Sequence, residues 1–167
     1  SVANAVSFAN DGTLILGTSG GTQTYNGGID TTGGGEGFGV GNTITLNGTI
    51  ATSNDIVVLS SVTLASATTI DTNASSDAGD ITVGAVTSSN LYLTLDTTGT
   101  SGSADHTFTG DIRLGSGGAL SVTGDAVLGA NVLIIADGIT FNNNINADNA
   151  TNNDRTLTMS SGIGSTI

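Results

Sequence analysis

Apolar and polar residues alternate along most of this chain, in short runs that Gly, Asn, Asp, Ser or Thr interrupt every few residues. A period of two residues is typical of β-strands, and the three- and four-residue spacing of an amphipathic helix is nearly absent. The pattern therefore predicts an all-β protein of short strands. The clearest runs cover residues 13–16, 43–46, 55–59, 62–64, 81–83, 91–95, 107–114, 120–122, 132–135, 139–141 and 156–159.

The connections between these runs argue against an antiparallel meander. Many gaps are shorter than the roughly 8 to 12 residues expected between sandwich strands. Asn-Gly or Asp-Gly pairs, which favour hairpins, occur only at residues 11–12, 26–27, 47–48 and 137–138. We therefore expect the strands to pair in parallel.

An imperfect repeat begins at Asn42, at Gly79 and at Asp137, with a weaker copy from Gly110. The clear copies share a turn residue, Ile-Thr followed by an apolar residue, a polar loop, and a longer alternating strand. A unit of roughly 20 to 35 residues is typical of a solenoid. If a rung takes about 20 residues, the chain makes about eight rungs and a rod on the order of 40 Å long.

The composition indicates what fills such a coil. The chain has 26 Gly, no Pro, no Cys and no Trp, and only 4% of its residues are aromatic. A narrow interior admits Ile, Val, Leu, Ala and Gly, and buried stacked strands have no use for Pro. The absence of cysteine excludes disulfides and thiolate zinc sites.

The charge limits the choice of partners. Fourteen acidic residues face only two cations, Arg113 and Arg155, for a formal charge of -12. Nucleic-acid binding needs clustered Lys or Arg and is therefore not expected. No apolar run approaches the roughly 18 residues of a membrane span, so no span is predicted. Acidic side chains do favour divalent cations.

The repeat segments "GDITVGAV", "DGITFNNNINA" and "RTLTMSSG" resemble the strand repeats of large bacterial surface proteins of the filamentous haemagglutinin and autotransporter-passenger kind. The resemblance covers about residues 42–167. It implies a right-handed parallel β-solenoid, or β-helix, that is extracellular and located at the cell surface. It also implies service as a stalk, adhesin or fibre.

The expected organisation is a Gly-rich segment 1–41, forming irregular first rungs or a linker, followed by one continuous solenoid domain over residues 42–167. Because the chain lacks an initiator Met and stops within a strand-like run, we expect a processed chain or an excised piece of a longer one. Further copies of itself, joined end to end or as continuing repeats, are the expected partners, and cell-surface glycans are candidates.

A calcium site is the strongest chemical hypothesis. In "DTNASSDAGD" the residues Asp71, Asn73, Ser75 and Asp77 stand at every second position and Asp80 follows. This spacing resembles the first half of an EF-hand loop, although the Gly of the sixth position and the bidentate Glu of the twelfth are missing. Ca²⁺ is the one candidate cofactor, and a solvated turn is the alternative.

Catalysis is not expected, but two other functions stay open. The single His106 is interpreted as a surface residue at a strand start, since no Gly-x-Ser-x-Gly motif surrounds a serine. A glycan-binding module would use a groove lined by Tyr25 or Tyr92 with nearby Asn and Asp. A β-helical polysaccharide-cleaving enzyme would show paired carboxylates within about 10 Å.

Thr-x-Thr pairs on a flat face also allow ice binding, but Thr43/Thr45, Thr107/Thr109 and Thr156/Thr158 do not recur at one period. The Asn-rich segment 142–155 is expected to form a corner loop. There Ile145 is the apolar residue able to point inward, and Asn side chains favour turns.

Overall fold

The computed structural model describes residues 1–8, 12–32, 43–73, 78–98, 104–147 and 154–161. Within these ranges all regular structure is β, without a helix, and every strand pairing is parallel. The all-β parallel solenoid is confirmed. The strands are β1 (Val6–Ser7), β2 (Leu14–Thr24), β3 (Ile29–Asp30), β4 (Ile44–Ala51), β5 (Val57–Leu59), β6 (Val62–Asp71), β7 (Ile81–Val83), β8 (Val86–Thr87), β9 (Leu93–Asp96), β10 (Asp105–Phe108), β11 (Ile112–Thr123), β12 (Asp125–Leu128), β13 (Val132–Phe141), β14 (Ile145–Ala147) and β15 (Leu157–Ser160).

Two sheets form the walls of the coil. Sheet I has the order β1-β3-β5-β7-β10-β12-β14, and sheet II has the order β15-β13-β11-β8-β6-β4-β2, with β9 pairing β11 and β6. The chain therefore crosses sheet I once per turn and then enters sheet II. Strands β1 to β3, from the Gly-rich segment 1–41, belong to the same two sheets as the later strands.

One residue from each strand of sheet I stands in a single register, which we call the core column. Successive members are separated by 19 to 28 residues, so the rungs differ in length because their loops differ. The five members from Ile29 to Ala126 are buried. The core column consists of Val6, Ile29, Val57, Ile81, His106, Ala126 and Ile145.

The long strands of sheet II bend part of the way along. The pairing register shifts next to Gly48 and Gly115, whose φ angles are +60° and +72°. A left-handed residue at such an irregularity turns the strand, and glycine adopts that conformation without a steric penalty. At the level of β7 the two halves are separate strands, β8 and β9. Asn47-Gly48 therefore does not form a hairpin. It forms a bend within β4, which pairs in parallel with β2 and β6.

The interior is aliphatic, as the composition predicts. Phe108 and Tyr25 are the aromatic residues buried in the described part of the chain, and the Phe108 ring meets Phe141 edge to face at 6.2 Å. The apolar residues of both sheets alternate with outward polar ones, so the strands bury one face each. Over the same ranges no helix is long and apolar enough to cross a membrane.

Three expectations from the sequence differ from the structure. The single strand expected at residues 107–114 is divided into β10 and β11 by a corner. The repeat copies that begin near Asn42 and Gly79 are out of phase, because Ile44 lies in sheet II and Ile81 in sheet I. The estimate of about eight rungs is not confirmed, since sheet I has seven strands within the described residues.

Candidate functional site

The described members of the predicted calcium site lie at the corner where sheet II leads back to sheet I. Asp71 ends β6, and its carboxylate accepts the Asn73 amide at 2.9 Å. Asp80 stands just before β7 and accepts the Asp105 amide of the next level at 3.0 Å. Ser75 and Asp77 lie outside the described residues.

A four-residue pattern ends strands at this corner and also ends β3 of sheet I. After an apolar residue, the pattern continues Asp-Thr-Asn at Asp71 and Asp-Thr-Thr at Asp30 and Asp96. In each case the Asp carboxylate accepts the amide two residues later, at 2.7 to 3.0 Å. This Asx-turn ends the strand, because the side chain replaces the next ladder bond.

The threonine inside the pattern points into the coil. Thr72 and Thr97 are buried, and their hydroxyls donate across the loop to the carbonyls of Gly79 at 2.6 Å and Ala104 at 3.1 Å. Thr52, at the same corner one level before Thr72, donates to Asp55 O at 2.7 Å. These hydroxyls close the base of each loop from within, so loops of different length leave the corner without disturbing the core.

A second row of acidic residues runs along the edge of sheet I. Asp105 and Asp125 are register partners, and Asp80 precedes Ile81, the register partner of His106. Burial raises the pKa of Asp105, with further contributions from the charges of Asp80 and Asp125, while His106 opposes the shift. Like charges on adjacent rungs therefore disfavour ionisation of the middle carboxyl.

The calcium hypothesis stays a prediction. Among the residues that the structure describes, no group of three or more His, Cys, Asp or Glu side chains is arranged to hold a metal ion. Asn73 donates to Asp71 and to Asp96 of the next rung, and two of the five proposed donors fall outside the description.

His106 is not a surface residue, and that interpretation was wrong. It occupies the core column between Ile81 and Ala126 with no exposed surface. Its Nε2 lies 3.0 Å from the Thr123 carbonyl and 3.2 Å from the Thr97 hydroxyl. Because a carbonyl only accepts, Nε2 carries the proton. Burial lowers the pKa of His106 despite the opposing effects of that hydrogen bond and of Asp96, Asp105 and Asp80.

The two tyrosines have different environments. Tyr25 is buried, donates to Gln23 Oε1 at 2.7 Å, and has a pKa raised by burial, so it does not line a groove. Tyr92 is 57% exposed and precedes Thr94 and Asp96 on the outer side of sheet II. We call the surface around it the Tyr92 face, composed of Ala67, Thr69, Asp71, Tyr92, Thr94, Asp96, Ala119, Ser121 and Thr123.

The Tyr92 face belongs to a longer hydroxylated surface. Six residues of sheet II share one register on consecutive levels and expose or half-expose their hydroxyl groups. This hydroxyl column consists of Thr22, Thr49, Thr69, Thr94, Ser121 and Thr140. The Thr-x-Thr pairs considered from the sequence do not form it, since Thr45 lies in sheet II and Thr107 in sheet I.

Arg113 and the Asn-rich segment 142–155 were also candidates from the sequence. Arg113 forms an exposed ion pair with Asp111 at 2.8 Å. In the Asn-rich segment, residues 145–147 form strand β14 instead of an unbroken loop, and Ile145 continues the core column while remaining 37% exposed. Asp154 is exposed, and Asp148 lies outside the described ranges.

The sequence interpretation missed Asp30, Asp96 and the inner threonines Thr72 and Thr97. The repeated apolar-Asp-Thr-Thr/Asn pattern was the available signal, because it recurs three times. Comparison with protein-family models, curated proteins and solved structures gives no match. Fold and local geometry therefore define the class, a parallel β-solenoid.

Proposed function

We propose that this chain is a structural and adhesive segment of an extracellular stalk, surface layer or self-assembling filament. The observation that supports this most strongly is the core column from Val6 to Ile145, which runs through every strand of sheet I. Most contacts between strands join adjacent rungs, so the fold extends by adding rungs without changing its cross-section.

Mechanical stiffness follows from the backbone pairing. Consecutive rungs are about 4.8 Å apart and are joined by ladder hydrogen bonds on both sheets. Shortening or bending the rod requires many of these bonds to break together. We infer that the coil is right-handed, because parallel β connections have that hand in nearly all proteins. An eighth rung stays a prediction.

The end levels support association with further copies or continuing repeats. Val6 and Ile145 belong to the core column, while Leu14 and Met159 share a second column that passes through Ile44, Val62, Val86, Ile112 and Ile134. A rung stacked on either end would continue both apolar columns. The net charge of -12 favours separation of rods side by side.

Electron microscopy and sedimentation over a range of concentrations test this proposal, with calcium and with a chelator. We expect rods that lengthen with concentration, and Ile145→Asp should reduce the lengthening because it places a charge at the end of the core column. Asn146→Asp, on the other side of β14, is the matched control. A compact monomer under all conditions would contradict the assembly, and equal behaviour with and without calcium would contradict a role for calcium in it.

The Tyr92 face favours a second candidate function, the binding of glycans. The exposed ring is flanked on adjacent levels by the small residues Ala67 and Ala119, so a sugar ring has access to its face. The Thr94 hydroxyl follows on the same outer face, with the Asp96 carboxylate further along the strand, and both groups match the hydroxyls of a sugar. Aromatic rings supply contact area, and the polar groups orient the ligand.

Glycan-array binding with wild type and Tyr92→Ala tests the second candidate. We expect binding to be lost in Tyr92→Ala and retained in Tyr92→Phe, which keeps the ring. Ile15→Ala, which removes another exposed apolar side chain on sheet II, is the control. Equal binding by wild type and Tyr92→Ala would remove the Tyr92 face from consideration.

A further inference from the structure

His106 is the one member of the core column with a polar side chain, and the chain contains no other histidine. The Thr97 hydroxyl and the imidazole both lie against Gly124, whose φ is +126°. A Cβ at position 124 would overlap the Thr97 hydroxyl and lie 3.0 Å from His106 Nε2. The sequence therefore keeps a side chain absent at one level so that a histidine fits at the next.

The hydrogen bonds around His106 suit only the neutral ring. Nε2 bonds to Thr123 O and lies close to Thr97 Oγ1, whereas Nδ1 is buried and has no hydrogen-bond partner among the described residues. Protonation would turn Nδ1 into a donor without an acceptor and bury a positive charge. A buried charge that is not fully hydrogen-bonded is strongly unfavourable.

Four elements around this site bring a carboxylate near it, whereas β11, whose Thr123 carbonyl accepts from Nε2, contains none. Asp80 precedes β7, Asp96 ends β9, Asp105 begins β10 and Asp125 begins β12. Asp105 and Asp125 are in register at strand positions that alternate with the inward His106 and Ala126, so they face outward. Their attraction for a protonated ring is greatest if the ring leaves the interior and approaches them.

We propose that His106 is an acid-sensitive lock on the solenoid. Near neutral pH the uncharged ring completes the core column and holds β10 between β7 and β12. In acid the protonated ring leaves the interior, and the backbone hydrogen bonds of Thr97 and Thr109 to the adjacent rungs open. The levels before and after it keep their own ladders, because each rung depends only on its neighbours. The stack therefore opens at one defined level.

The sign of the pH effect follows from linkage. The folded state holds His106 neutral below its ordinary pKa of 6.5, so the unfolded or open state binds the proton first. The contribution of His106 to stability is complete above pH 6.5 and decreases as the pH falls below that value. While the folded ring stays neutral, the unfolding equilibrium constant rises about tenfold per pH unit from this group.

The direct test is an NMR titration of the imidazole, whose signals are unambiguous because the histidine is unique. We expect titration below pH 6.5, together with faster hydrogen exchange at the amides of Thr97 and Thr109 after correction for intrinsic rates. The amide of Thr52, which bonds to Asp71 O at the same corner two levels earlier, should stay protected. Titration at or above pH 6.5 with all three amides protected would overturn the proposal.

The variant His106→Gln supplies the matched comparison, since glutamine keeps a donor and does not titrate. Between pH 7.5 and 5.0 the unfolding equilibrium constant increases in both proteins. The factor of increase in wild type should be more than ten times the factor in His106→Gln. The carboxylates that do not interact with His106 cancel in the comparison, and those that do belong to the effect being measured. Equal pH dependence would refute the lock. If His106→Gln does not fold, exchange at Thr97 and Thr109 in wild type decides.

Discussion

The side-chain amide of Asn73 donates a hydrogen bond of 3.0 Å to the carboxylate of Asp96, which lies one level further along the solenoid. The same amide lies 3.3 Å from the Thr98 hydroxyl. Asn73 thus joins two strand ends whose carboxylates, Asp71 and Asp96, are register partners. A neutral donor between two acidic side chains reduces their repulsion.

Replacing Asn73 with Asp should destabilise the protein by about 1 kcal/mol, because a hydrogen bond is lost and a third carboxylate enters the corner. Urea unfolding at low and high salt measures the change, and added salt should reduce it. Asn90→Asp, on an exposed bend, is the control. Equal losses in the two variants would show that added charge alone is responsible.

Replacing Thr72 with Val should cost about 1 to 3 kcal/mol, since the buried Gly79 carbonyl loses the hydroxyl that donates to it. Thr72→Ser keeps the hydroxyl and should recover most of the loss. Thr63→Val, at an exposed position, should change the free energy of unfolding by less than about 0.5 kcal/mol. Chemical denaturation compares the three, and a neutral Thr72→Val would contradict the role of the inner threonine.

Gly124→Ala should destabilise far more than Gly20→Ala, although both glycines have positive φ. At Gly20, where φ is +70°, a Cβ meets nothing within 4 Å, so only left-handed strain of about 1 to 2 kcal/mol is added. At Gly124 the Cβ also overlaps Thr97. Thermal unfolding measures the difference, and similar melting temperatures would show that the corner rearranges freely.

The stabilising contribution of Asp111 should be lost in acid. The Leu133 amide and then the Arg113 side chain hold the pKa of Asp111 below its ordinary value of 3.8. The unfolded state therefore takes up the proton first, and the stabilising contribution is present above pH 3.8 and lost as the pH falls further. Between pH 5 and 3 the stability of Asp111→Asn should decrease less steeply than that of wild type.

Arg113→Gln provides the control for this prediction. It removes the side-chain donor at 2.8 Å and leaves the Leu133 amide at 3.0 Å. Its pH dependence should therefore lie between those of wild type and Asp111→Asn. Identical acid profiles for all three proteins would contradict the assignment.

Local patterns predicted the strands well where one face is buried. Ile81–Val83 and Val62 onward were found from the alternation of apolar and polar residues. The strands β1, β3, β8, β12 and β14 were missed; except for β12, which has four residues, they have two or three, which is too few to show a period. Their strand geometry comes from pairing with the rung before and after them.

The candidate site was only partly predictable. Asp71 and Asn73 were selected for their spacing, but the hydrogen bond from Asn73 to Asp96 depends on a rung 23 residues away. His106 was placed outside because histidine is polar, whereas its inward position follows from its register with Ile81 and Ala126. The space beside it depends on Gly124, 18 positions later in the chain.

By itself, the sequence determined the all-β class, the parallel pairing, the aliphatic interior and the exclusion of disulfides, because these depend on local periodicity and composition. Only the tertiary structure decided which residues stack on one another. Rungs of 19 to 28 residues have no constant period, and the lengths of the loops set the register. Since a slip of one residue exchanges the inner and outer faces of a strand, that register placed His106 inside and Tyr92 outside.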